Sequence, residues 1–114
     1  MPLAEGDLIE IDADTAVGHE QHGRRPALIV SVDALQTALG LAVVCAVTTH
    51  GGKALRARYQ LEVSIPAEFP VKGVVLPHQL HTIDLSARNA AKLCAVPRST
   101  LLAVRARLKP LLGL

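Results

Sequence analysis

The chain has 114 residues, half of them hydrophobic, a formal net charge of +2, two cysteines and only Tyr59 and Phe69 as aromatic side chains. That length supports one domain with a single core, residues 1–114, and no apolar run approaches the ~20 residues that cross a bilayer. An opening Met1-Pro2-Leu3-Ala4-Glu5-Gly6-Asp7 without a basic segment or apolar stretch gives no reason to expect export.

Gly6-Asp7 leads into Leu8-Ile9-Glu10-Ile11-Asp12, a β-branched run suited to a strand. A polar loop follows, and the nearly continuous hydrophobicity of residues 26–32 reads as a core strand. Residues 32–39 have room for one or two helical turns, with Gly40 as the stop. Residues 41–48 form a third buried strand, and residues 50–58 a basic loop. Tyr59, Leu61, Val63 and Ile65 alternate with polar residues, the pattern of a half-buried strand. Residues 73–76 and 79–83 read as two short strands around Pro77, residues 84–88 as a helical turn, and residues 91–96 as a last strand.

Pro97 suits the first turn of a C-terminal helix, where its missing N–H costs nothing. Leu101, Val104, Leu108 and Leu111 fall on one face of that helix as a packing stripe. Five to seven short strands with small helices make a mainly β (α+β) domain, a strongly bent sheet or small barrel. Cys45 and Cys94, in apolar settings without C-x-x-C spacing, read as buried reduced thiols of a cytoplasmic protein.

The charge is unevenly spread. Residues 1–33 hold Glu5, Asp7, Glu10, Asp12, Asp14, Glu20 and Asp33 but only Arg24 and Arg25 as bases, while the remainder carries Glu62, Glu68 and Asp84 against all the other bases. Folding the second part around Arg24 and Arg25 would create a face able to hold a polyanion. With so few rings the chain offers little platform for base stacking, so any contact with a nucleic acid would have to go through phosphate, ribose and base edges.

The most informative stretch is Gly18-His19-Glu20-Gln21-His22-Gly23-Arg24-Arg25-Pro26. It sets imidazole, carboxylate, amide and guanidinium at the lip of a core strand, a combination suited to chemistry on a charged ligand. His19-x-x-His22 and His78-x-x-His81 have suggestive metal-ligand spacing, but extended chain turns such pairs to opposite faces, so no metal site is expected.

These segments resemble the MazF/PemK family of bacterial toxin–antitoxin endoribonucleases, especially its PemK-like branch. The resemblance is carried by Gly6-Asp7-Leu8-Ile9, Gly18-His19-Glu20-Gln21 with Gly23 and Arg25-Pro26-Ala27, and Val47-Thr48-Thr49 with His50-Gly51-Gly52. Gly73-Val74-Val75-Leu76 with Gln79, then Thr82-Ile83-Asp84-Leu85 with Ala87-Arg88, continue it almost to the end of the chain. The family implies an SH3-like barrel with appended helices and a homodimer. It also implies cofactor-free, metal-independent, sequence-specific cleavage of single-stranded mRNA, leaving 2′,3′-cyclic phosphate and 5′-hydroxyl ends. An antitoxin protein suppresses that activity by laying an acidic or hydrophobic tail into the RNA site.

By the same resemblance Arg25 and Thr48 take the catalytic arginine and threonine positions, and His19 and Glu20 the histidine and glutamate positions. Gln21, Arg24, Thr49, His78 and Gln79 are the expected RNA contacts. Guanidinium offers phosphate a rigid fork of donors and keeps its charge, while a strand threonine fixes its hydroxyl by β-branching. The base stays open between His19 and Glu20. His78 and Leu76 replace the aspartate and arginine of PemK relatives, so that branch's catalytic arrangement is absent. The alternatives are a non-enzymatic gyrase poison of the related CcdB type and a disarmed member that only binds RNA or antitoxin.

Overall fold

The computed structural model describes residues 3–13, 23–49 and 61–114. Among them run β1 (Asp7–Asp12), β2 (Arg24–Ile29), α1 (Asp33–Leu39), β3 (Leu41–Thr48), β4 (Val63–Ser64), β5 (Val74–Asp84), β6 (Ala91–Ala95) and α2 (Arg98–Leu112). The strands form one curled antiparallel sheet in the order β4-β5-β3-β2-β1-β6, a half-barrel closed at one end by α2. This is the mainly β architecture expected from the sequence. The basic loop at 50–58 and the first residues of the strand expected at 59–65 lie outside the described residues.

Alternation along the strands sorts the apolar side chains into two clusters. On one face Leu8, Leu28, Cys45, Val47 and Val75 pack against Leu101, Val104 and Leu108 of α2. On the other, concave face lie Ile9, Ile11, Ala27, Ile29, Val44 and Ile83, with Leu85 folded over them. Both faces of β2 and β3 are therefore buried, which explains their unbroken hydrophobic runs. Leu111 departs from its stripe. It is 45 % exposed, because every residue from 109 onward is exposed and the last turn of α2 extends past the sheet.

Two strand boundaries differ from the sequence expectation in ways that shape the site. β2 starts at Arg24 rather than Pro26 and ends at Ile29, because Arg24 and Arg25 pair with Asp12 and Ile11 of β1. β5 is one strand where two short ones were expected. Its ladder with β3 steps from Cys45↔Leu80 to Ala46↔Leu76, leaving Pro77, His78 and Gln79 as a bulge. Pro77 has no N–H to give the ladder, so the strand survives it by bulging rather than by ending.

Candidate active site

The concave face opens into a groove of about 280 Å³. Its apolar floor is Ile11, Ala13, Ala27, Val44, Ala46 and Ile83, and its polar rim is Arg25, Gln79, His81 and Arg88. Among the described lining residues no carboxylate appears, so the groove presents two fixed cations and an imidazole to whatever enters it.

The sheet brings several of the expected residues together. Arg25 is exposed at the start of β2, on the face that carries Ala27 and Ile29. Thr48 is half-buried at the end of β3, two residues beyond Ala46 and on the same face by alternation. The β2–β3 ladder runs from Ile29↔Val44 to Ala27↔Ala46, and Arg25 and Thr48 each lie two residues beyond its last pair. Thr49 follows, exposed, at the strand's end. The bulge in β5 presents His78 and Gln79, both exposed, and Gln79 reaches the groove.

Gly73 permits this end of the sheet to close. Its φ is +145°, and a Cβ built there would stand 2.2 Å from the carbonyl oxygen of Thr48, so only glycine lets β5 approach β3 here. His19, Glu20 and Gln21 lie outside the described residues. The described residues flanking that stretch meet beside the groove, where the Ala13 N–H donates to the Gly23 carbonyl at 3.2 Å.

Asp12 ties β1, β2 and the turn before β6 into one knot. Its main-chain N–H donates to the Arg88 carbonyl at 2.9 Å, and its own carbonyl accepts from Arg88 Nε at 3.0 Å and Nη2 at 2.8 Å. Its carboxylate accepts from Asn89 Nδ2 at 2.6 Å and Arg24 Nη1 at 2.8 Å. Asn89 makes its contact from left-handed backbone, φ +52°, which asparagine tolerates better than most residues. The Asn89 amide first, then the Arg24 guanidinium, holds the Asp12 carboxyl below its ordinary value of 3.8.

Arg24 is thereby engaged with acids rather than facing the groove. Besides Asp12, its Nη2 donates to the Glu10 carbonyl at 3.1 Å and its Nε lies 3.6 Å from Glu10 Oε1. Sequence reasoning did not single out His81 and Arg88 as site residues. Arg88 lay within a matched segment, but only the contact between the turn and β1 shows that it reaches the groove. His81 shares the groove face with Ile83 two residues on, whereas the sequence weighed it only as a metal ligand spaced with His78. Among the described residues no three His, Cys, Asp or Glu side chains gather as metal ligands would.

The fold is a small, mostly β half-barrel of six antiparallel strands with a C-terminal helix. Residues 4–112 match the family model described as PemK-like, MazF-like toxin of type II toxin-antitoxin system, and the chain belongs to that family. It is 34% identical over 110 residues to the endoribonuclease PemK of Escherichia coli, covering 96% of this chain and 82% of that one. It is 39% identical over 89 residues to the endoribonuclease toxin ChpB of Escherichia coli strain K12, covering 77% and 75%. Among solved structures, MazF in a MazE-MazF crystal from Deinococcus radiodurans superposes with a TM-score of 0.88 at 36% identity, covering 100% of this chain and 98% of that one.

Proposed function

We propose that this chain is the toxin of a toxin–antitoxin pair and cuts single-stranded mRNA without a metal, at short sequences. The observation that carries this reading is the groove, whose described lining holds no carboxylate, with Arg25 exposed at its rim and Thr48 at the end of the neighbouring strand. Relatives named as endoribonucleases support it over the gyrase-poison alternative.

The substrate's own ribose supplies the nucleophile. A base takes the 2′-hydroxyl proton, O2′ forms a bond to phosphorus, and the bond from phosphorus to O5′ breaks. The departing O5′ takes a proton, leaving a 2′,3′-cyclic phosphate and a 5′-hydroxyl. Arg25 stabilises the negative charge that gathers on the phosphoryl oxygens, and the Thr48 hydroxyl donates to the same oxygens. His19 is the base, a role open to imidazole as a proton acceptor and one typically worth ~10²–10⁴-fold, with Glu20 sharing it or orienting Arg25. Gln21, Thr49, His78 and Gln79 contact base edges and backbone.

The partner is a cognate antitoxin, a reading that MazE-MazF crystals among the structural neighbours support, and its acidic or hydrophobic tail lies in the RNA site. The toxin works as a cytoplasmic homodimer.

The test is cleavage of a long RNA in excess chelator by the natural chain and by Arg25→Ala. Cuts by the natural chain, a loss of at least ~10²-fold in kcat for Arg25→Ala, and no cut where the ribose lacks its 2′-hydroxyl are expected. Equal cleavage by Arg25→Ala, or cutting beside deoxyribose, overturns the reading.

A further inference from the structure

We infer that Arg88, and not Arg24, is the second guanidinium that RNA meets in the groove, gripping a backbone phosphate beside the one at Arg25, and that Arg24 is a positioning residue. This rests on the reading of the groove as an RNA site. Two observations carry it.

The first is the disposition of charge. Arg24 forms ion pairs with Asp12 at 2.8 Å and Glu10 at 3.6 Å, so its charge is matched by two acids. Arg88 is held by a carbonyl instead, the main-chain oxygen of Asp12. A neutral oxygen fixes a guanidinium without cancelling its charge. Among the described residues Arg88 makes no ion pair, because Arg24 and Asn89 already engage the Asp12 carboxylate.

The second is geometry. Guanidinium has five N–H donors in a planar fork. Arg88 gives two of them to Asp12, and its side chain lines the groove with Arg25, which leaves donors for a phosphate. Contact from two directions by the Asp12 carbonyl pre-orients the fork, so less side-chain entropy is lost on binding. Arg24 keeps the Asp12 carboxylate neutralised and the end of β1 in place, and in that way holds the carbonyl on which Arg88 rests.

The experiment measures binding of a short mixed-sequence single-stranded RNA, made uncleavable by 2′-O-methyl ribose, across a salt series. The natural chain, Arg88→Gln, Arg88→Lys and Arg24→Gln are compared, with thermal unfolding of each as the folding control. Each phosphate neutralised on a single strand contributes about 0.7 to the slope of log affinity against log salt. Arg88→Gln is expected to weaken binding about tenfold and to lower the slope by about 0.7. Arg88→Lys keeps the charge and hence the slope, with affinity between the two. Arg24→Gln weakens binding with the slope unchanged.

In turnover, Arg88→Gln raises KM and holds kcat. A natural slope in Arg88→Gln, a reduced slope in Arg24→Gln, or a collapse of kcat at constant KM overturns the assignment alone when the natural chain still cuts RNA. Failure of the natural chain to bind RNA overturns it together with the functional reading.

Discussion

A methyl group at position 73 has nowhere to go. It would stand 2.2 Å from the Thr48 carbonyl oxygen and 3.1 Å from the Thr49 Cα, both main-chain atoms that cannot swing aside. The Gly73 backbone at φ +145° is also one that L side chains rarely adopt. Gly73→Ala is therefore expected to destabilise the fold by about 2 kcal/mol and to push Thr48 away from Arg25. Urea unfolding reads the first effect, and a fall in kcat at temperatures where the variant stays folded reads the second. At this scale Arg25 and Thr48 were singled out through the family resemblance of their segments rather than by a local pattern. The local pattern was silent on which of the two adjacent arginines lines the groove. That depends on Asp12 and Glu10 standing beside Arg24 in the β1–β2 ladder, a pairing no local pattern states.

Elements were legible wherever period decided them. β1, β3, α1 and α2 fall close to where the alternation, Gly40 and Pro97 place them. β5 was not, because Pro77 ordinarily ends a strand, and only the ladder with β3 on both sides shows that the strand passes through it as a bulge. The knot at Asp12 joins three elements and has a pH signature. Its carboxyl is held below 3.8 in the folded state, so its stabilising contribution is present above that value and is lost as pH falls through the lower folded one. Asp12→Asn is expected to lower the melting temperature near neutrality and to flatten its decline below about pH 4. Melting curves across an acid series check this. A decline as steep in the variant as in the natural chain assigns the acid sensitivity to other carboxylates.

At the scale of the whole molecule, the lopsided charge of the sequence becomes a division of labour. Among the described acids of the first thirty-three residues, Glu5 is matched by Arg105 and Asp7 by Lys92 from far along the chain, while Arg24 takes Glu10 and Asp12. The described lining of the groove holds no acid, and Arg25 and Arg88 stand on its rim. The sequence showed the imbalance but not the pairing, since Arg105 meets Glu5 from the C-terminal helix and Lys92 meets Asp7 across the β1–β6 ladder, contacts between segments far apart in the chain. A groove so arranged distinguishes its occupants by charge more than by shape. Poly-L-glutamate is therefore expected to compete with RNA, raising KM with kcat unchanged, and poly-L-lysine to leave KM alone. Screening shortens the reach of these charges from about 10 Å at 0.1 M salt to about 3 Å at 1 M, so the competition fades as salt rises. Because the inhibitor is a flexible anion with no bases to read, inhibition that survives high salt, or that lowers kcat at constant KM, places its binding outside the groove and assigns the groove's selectivity to contacts other than Arg25 and Arg88.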